Sequence, residues 1–254
     1  MSALADVSKG RVLLVGLGGL GCPAALAMVR AGVGELTLCD DDIVDEGNLH
    51  RQILYGPHDV GADKLEAARR ALEPVARRTG TRIELVHERF LPDNARRLAR
   101  AADLVIEGAD NFATKFLAAD ACHLERRPLV HGAGLRWMGT AWSVLPQGRP
   151  CYRCLFEEVP SGALPNCDSA GVMGPVVGML GALMAELALR TLVGRAPRAE
   201  IWTFDGKADN LRQVPVSPRA DCPLCGNEPS IFELNEARYM PEPRASASCF
   251  VQSN

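Results

Sequence analysis

Short apolar runs alternate with stretches of helical spacing through the first half of the chain. Arg11–Gly16 reads as a buried strand, Gly19–Ala31 as a helix after a glycine-rich loop, and Glu35–Cys39 as a second strand. Helical spacing returns over Asp63–Arg78, Pro92–Arg100 and Asn111–Glu125, with strands between them at Thr81–His87, Asp103–Glu107 and Leu129–Ala133. This alternation predicts an α/β fold with a doubly wound, mostly parallel, Rossmann-like sheet. Its nucleotide crevice belongs at the carboxyl ends of the strands. The second half differs: Gly139–Leu145, Ile201–Phe204 and Leu211–Val216 read as antiparallel strands that extend the sheet, with a turn near Asp205-Gly206. Residues 172–193 form a long apolar run interrupted by Glu186 and Arg190 on one helical face, with Gly174, Gly178 and Gly181 as places for close packing. That pattern favours a buried core or interface helix over a membrane span. From Pro229 onward the chain is rich in Pro, Ser and Ala without a period, so residues 227–254 are expected to form a mobile tail.

Composition narrows this only slightly. With 254 residues, 47% hydrophobic and 23% charged, the chain is long enough for one large α/β domain with appendages. A net charge of -3 gives no whole-chain electrostatic case for nucleic acid or an anionic membrane as partner. The N-terminus lacks a basic and apolar signal region, which makes a cytoplasmic location the default. Nine cysteines in such a chain point to metal or thiol chemistry rather than a disulfide scaffold.

The loop Gly16-Leu17-Gly18-Gly19-Leu20-Gly21 joins the first strand to the first helix. Its glycines Gly16, Gly18, Gly19 and Gly21 allow a tight turn and close backbone approach to phosphate, and a helix N-terminus favours negative charge. Asp40 ends the second strand, where a ribose-binding carboxylate is expected; Asp41 and Asp42 read as ribose-side or simply solvated groups. A dehydrogenase would need little more, yet Asn48-Leu-His-Arg51-Gln52 and Lys64 follow. Arg51 can grip a triphosphate with two hydrogen bonds, Asn48 can donate to the same group, and Lys64 can place a point charge on phosphate. Alternatively Arg51 and Lys64 are surface cations. Asp110, in Glu107-Gly108-Ala109-Asp110-Asn111, either holds magnesium at the catalytic end of the sheet or caps the following helix.

Cys151-Tyr-Arg-Cys154 and Cys222-Pro-Leu-Cys225 supply four soft ligands for tetrahedral zinc. They lie too far apart for an ordinary finger, so this would be a split, closed, structural site; a redox dithiol is the competing reading. Cys167 stands in a polar loop before the long apolar helix, where a helix dipole can stabilise its thiolate. It reads equally as a nucleophile or as inert. Cys22, Cys39 and Cys122 fall inside predicted elements as core residues. His131, at a strand end, reads as a satisfied core histidine.

Taken together, these motifs resemble the ThiF/MoeB/HesA family, the bacterial relatives of ubiquitin-activating enzymes, from Arg11 to Gly226. The residues carrying the resemblance are the glycine loop, the Asn48–Gln52 segment, Lys64, Ala109-Asp110-Asn111, both cysteine pairs and Ala170-Gly171-Val172-Met173-Gly174-Pro175. Pro23-Ala24-Ala25-Leu26 and Phe204-Asp205-Gly206-Lys207 look closer to the ThiF branch. The resemblance implies an adenylation domain over residues 1–226, with a nucleotide-binding part near 10–133 and a zinc and carrier-binding part near 134–226. It implies ATP, magnesium and structural zinc as cofactors, and a homodimer. The partner would be a ubiquitin-like sulfur-carrier protein ending in Gly-Gly, adenylated at its terminal carboxylate, with a persulfide-donating sulfurtransferase supplying sulfur. It places Asp40 on ribose, Arg51, Asn48 and Lys64 on the phosphates, Asp110 (with Asn111 beside it) on magnesium, and Cys167 in a thiol-linked intermediate. Activation of another carboxylate or peptide, a NAD-dependent oxidoreductase and a non-catalytic carrier-binding scaffold are the competing functions. One departure stands out: relatives carry an N-terminal Arg-Tyr-x-Arg-Gln-like motif whose arginine reaches the partner subunit's ATP, and here the motif is absent.

Overall fold

In the computed structural model, which describes residues 6–146, 148–159, 171–195 and 198–239, one eight-stranded sheet runs through the molecule. Its strands are β1 (Arg11–Val15), β2 (Glu35–Cys39), β3 (Arg82–Val86), β4 (Leu104–Glu107), β5 (Leu129–Leu135), β6 (Met138–Val144), β7 (Glu200–Asp205) and β8 (Asn210–Pro215), in the order β3-β2-β1-β4-β5-β6-β7-β8. β1 to β5 pair in parallel and β6 to β8 are added antiparallel. The strand order reverses between β1 and β4, which leaves an open crevice at the carboxyl ends of those two strands.

The helices are α1 (Gly21–Ala31), α2 (Lys64–Thr79), α3 (Pro92–Ala101), α4 (Phe112–Leu124), α5 (Tyr152–Leu155), α6 (Gly174–Leu192) and α7 (Glu236–Tyr239). The starts of two of them are fixed by side-chain caps: Asp63 accepts from the Glu66 N–H at 2.9 Å, and Asn111 from the Thr114 N–H at 2.8 Å. Alternation along the strands sorts the core into two layers. Val12, Leu14, Leu36, Leu38, Ile106 and Val130 face α1, α2 and α6, whereas Leu13, Val15, Val105, Leu129 and Trp142 face α3, α4 and α5. The apolar run is α6, long and apolar enough to cross a membrane by length and composition, yet packed as a core helix against α1, β5 and β6.

The described part of the segment that follows residue 226 packs against the rest of the chain. Ile231 is buried with the cysteines, and Tyr239 is buried with its hydroxyl donating to Asp120 Oδ2 at 2.8 Å. Asp120 also takes both arms of Arg153 at 2.8 Å, and Arg153 lies 4.8 Å over the Phe116 ring. A buried ion pair is worth having only when every partner is satisfied, and here the tyrosine completes the set. Residues 240–254 lie outside the described residues.

Candidate active site

A cavity of about 700 Å³ opens over the carboxyl ends of the strands and collects most of the chemistry-bearing residues expected from the sequence. The glycine loop forms its floor. Gly16 has φ of 88°, and a Cβ there would press on the Ala109 backbone at 3.0 Å; a Cβ on Gly21 would sit 1.9 Å from the Gly16 carbonyl oxygen. Only glycine lets this loop and the loop after β4 lie so close. Gly21 acts in this packing and is not a lining residue, whereas Gly16, Gly18 and Gly19 line the cavity.

One wall comes from the segment after β2. Asp40 is tied down through both oxygens, accepting from the Leu17 N–H at 2.6 Å and the Asp42 N–H at 2.9 Å. Burial pushes its carboxyl above the usual range, opposed by Lys64 and those two hydrogen bonds. Asp45 caps a short helical turn, Glu46–Asn48, by accepting from the Gly47 N–H at 2.7 Å; the Asn48 carbonyl then receives the Arg51 and Gln52 N–H groups. The turn aims Asn48, Arg51 and Gln52 at the glycine loop, with Arg51 only 9% exposed. Lys64 opens α2 and reaches back to Asp42 Oδ2 at 2.8 Å. Burial pulls the Lys64 ammonium down, but Asp40 and Asp42 outweigh it and raise its pKa, so the cation is secured. Neither Arg51 nor Lys64 is a surface cation. Asp42 serves as the anchor of Lys64 while also lining the cavity.

The loop after β4 supplies Asp110 and Asn111. The cap of α4 is Asn111, which removes capping as the role of Asp110 and leaves its exposed carboxylate at the cavity. Behind this loop is a group of charges that motif reading misses. Glu107, fully buried, accepts from the Ala109 N–H at 2.6 Å and from Lys115 Nζ at 3.2 Å, and pairs with His131 Nδ1 at 2.6 Å; Lys115 also donates to the Gly132 carbonyl at 2.7 Å. Burial by itself would raise the Glu107 carboxyl, but Lys115 and His131 outweigh it and hold it ionised. The available signal was a glutamate at the end of a wholly buried strand, since a buried charge demands a partner.

The far side of the cavity is a groove on the antiparallel strands. Alternation puts His131, Ala133 and Leu135 of β5 on one face, and the register sets Trp142, Thr140 and Met138 of β6 beside them, followed by Thr203 of β7. Tyr152 and Phe156 close the groove from above, Tyr152 meeting the His131 ring edge-on at 4.7 Å. Tyr152 sits between Cys151 and Cys154. Those thiols meet Cys222 and Cys225 with sulfur distances of 3.4 Å (Cys151–Cys222), 3.3 Å (Cys154–Cys225) and 3.9 Å (Cys151–Cys154), all four sulfurs within 4.8 Å of one another. Tetrahedral zinc with bonds of ~2.3 Å needs sulfurs roughly 3.8 Å apart, so the four thiols fit such an ion. The Arg219 N–H donates to Cys154 Sγ at 3.4 Å.

Cys167 lies outside the described residues. Burial pushes the Cys22 and Cys39 thiols up to about 12 and raises Cys122 as well, so all three are inert core residues as expected.

Comparisons with known proteins bear on the family and the fold. The SAMP-activating enzyme E1 of Haloferax volcanii is 39% identical over 236 residues, covering 91% of this chain and 85% of that protein. The adenylyltransferase and sulfurtransferase MOCS3 of Aedes aegypti is 37% identical over 234 residues; this chain spans 53% of its length. Among solved structures, Escherichia coli MccB superposes with a TM-score of 0.77 at 18% identity, over 88% of this chain and 67% of that one, which speaks for the fold. The family model described as the ThiF family matches residues 1–224, and the chain belongs to that family.

Proposed function

We propose that this protein is an ATP-dependent adenylyltransferase that activates the C-terminal glycine carboxylate of a ubiquitin-like sulfur-carrier protein. The observation that carries the reading is one cavity whose lining runs from the glycine loop, Asp40, Arg51, Lys64 and Asp110 to residues of β5, β6 and β7. Ala133 on the groove face, and the backbone of Gly134 and Gly139 where it lines the cavity, suit a Gly-Gly terminus.

In the reaction Asp40 receives the ribose hydroxyls, and Arg51, Asn48 and Lys64 take the phosphates. The carrier carboxylate attacks the α-phosphorus and pyrophosphate leaves, giving an acyl-adenylate. Positioned cations and the α1 N-terminus stabilise the charge on the transferring phosphoryl group, with no need for a covalent protein intermediate at this step. Asp110, with Asn111 beside it, would hold magnesium, which supplies charge neutralisation on the phosphates. Cys151, Cys154, Cys222 and Cys225 would hold structural zinc. Residues near 10–133 form the nucleotide part and those near 134–226 the zinc and carrier part of one adenylation domain. The protein acts in the cytoplasm as a homodimer, with a persulfide-donating sulfurtransferase as sulfur source and Cys167 as acyl acceptor.

ATP–pyrophosphate exchange tests this directly. Exchange is expected to depend on a carrier ending in Gly-Gly and to vanish when the terminal glycine is removed. A folded, zinc-loaded protein that gives no exchange across a panel of such carriers overturns the reading.

A further inference from the structure

The buried charges behind the cavity are not all used up in holding the fold. Glu107 ends β4, and its Oε1 steadies the loop that carries Asp110 through the Ala109 N–H at 2.6 Å. Its Oε2 meets His131 Nδ1 at 2.6 Å. An ionised carboxylate can only accept, so Nδ1 carries the proton and Nε2 bears the lone pair. The imidazole is 1% exposed, lines the cavity, and has Nε2 left for a ligand. Its position is as telling as its partner. His131 is the inner end of the groove that runs over Ala133, Thr140 and Thr203, and it adjoins the strand whose loop carries Asp110. It therefore stands at the junction of the nucleotide residues and the groove, where an acyl–phosphate bond would be made.

Among the described residues, Glu107 from β4, Lys115 from α4 and Tyr152 from α5 are the charged or titratable groups acting on the ring. Burial first, then Lys115, keeps the imidazole below its ordinary value against the pull of Glu107, so it is neutral under physiological conditions. Adenylation of a carboxylate has no proton to remove, and a carboxylate–imidazole pair beside that junction has no task in it.

We propose that Glu107 and His131 form a general-base dyad for a second half-reaction at the same site, the transfer of the activated acyl group to a thiol. The proposal rests on the adenylyltransferase reading. The thiol sulfur bonds to the acyl carbon, the bond from that carbon to the phosphate oxygen breaks, and AMP leaves with the electron pair. The S–H proton passes to His131 Nε2 and from there to solvent. Glu107 holds the ring in the productive tautomer and stabilises the imidazolium that forms, and Lys115 holds Glu107.

The test uses the full chain with a carrier that supports ATP–pyrophosphate exchange. Thioester formation is compared between dithiothreitol, which must lose a proton, and an aryl thiol already ionised at neutral pH, each rate divided by the exchange rate of the same variant. For His131→Asn the ratio is expected to fall about 10²-fold or more with dithiothreitol and far less with the aryl thiol. The part of the wild-type pH profile set by the imidazole should be missing in the variant, leaving only the rise that follows ionisation of dithiothreitol itself. His131→Gln is read the same way and serves if the first variant does not fold. Equal losses with the two thiols, or an unchanged ratio, overturn the dyad and leave His131 as a strut. No exchange by the wild-type protein on any carrier overturns the adenylyltransferase reading and the dyad with it.

Discussion

The two ends of the sheet are held together by different means. From β1 to β5 the strands are parallel and packed between helices, and the groups proposed to handle nucleotide stand on the segments after β1, β2 and β4, pinned by hydrogen bonds to the main chain. From β6 onward the sheet turns antiparallel and β8 is largely exposed. The local cluster there comprises Cys151, Cys154, Cys222, Leu224, Cys225 and Ile231, four of its six members being cysteines. So little apolar surface cannot hold a segment by burial alone. The parallel half is held by a large core; β6 and β7 share in it through Ala141, Trp142 and Ile201, and what the cysteine pairs tie is the chain outside it. The ties also reach the chemistry, since the Cys151–Cys154 turn carries Tyr152 onto His131.

Cutting the metal tie should have the largest effect. Structural zinc is worth about 10–16 kcal/mol in small isolated fingers, so chelation or Cys222→Ser is expected to lower the thermal midpoint by ~10 °C or more. Differential scanning calorimetry with parallel metal analysis checks it; purified protein free of zinc with an unchanged midpoint would erase the distinction between the halves. Next in size is Arg153→Met, which strands the buried Asp120 carboxylate and should cost about 3–5 kcal/mol in urea unfolding, with ATP affinity largely kept. In the nucleotide half, Arg51→Ala or Lys64→Ala should each weaken ATP binding by about 1.5–3 kcal/mol, roughly ten- to a hundredfold in Kd. Isothermal titration calorimetry would show it, and a loss of fold instead of affinity would place these cations among the structural ties.

The smallest effect is a pH dependence inside the parallel half. Arg100 and Arg96 hold the Glu125 carboxyl down at about 2, against an ordinary value of 4.5, in spite of its burial. A depressed carboxylate contributes stability that is present above its unfolded value and lost as pH falls through the folded one. Both arginines are exposed, so the contribution is discounted to ~1–2 kcal/mol. Glu125→Gln should flatten the fall in stability between pH 4.5 and about 2, and an unaltered slope in acid titrations would remove Glu125 from the account.

Much of the nucleotide half was legible because each feature is local. The glycine loop and Asp40 directly follow strands, Asn48 and Arg51 lie on the one segment between β2 and α2, and Lys64 opens α2; the structure brings them to one cavity. Element boundaries differed by a residue or two where caps decide them; α4 begins at Phe112 because Asn111 caps it. Two buried ion pairs were not legible. Glu107–Lys115 and Asp120–Arg153 join residues on different elements, and in sequence each member is one charge in an apolar setting. The docking of Tyr239 was hidden for a related reason: a single tyrosine has no period, and its partner Asp120 is half the chain away.

The distance in sequence between the two cysteine pairs has a consequence for how the protein is made. β1 to β5 are all present once residue 135 has been synthesised, while the four thiols can meet only after residue 225. At roughly 5–20 residues per second, translation leaves an interval on the order of ten seconds. During it the helix-covered half can form with β6, once made, as an unpaired edge, the kind of edge that recruits other chains. With zinc held there as proposed, a shortage of metal in the cell would fall hardest on nascent molecules, and finished ones, with the ion among buried sulfurs, would outlast it.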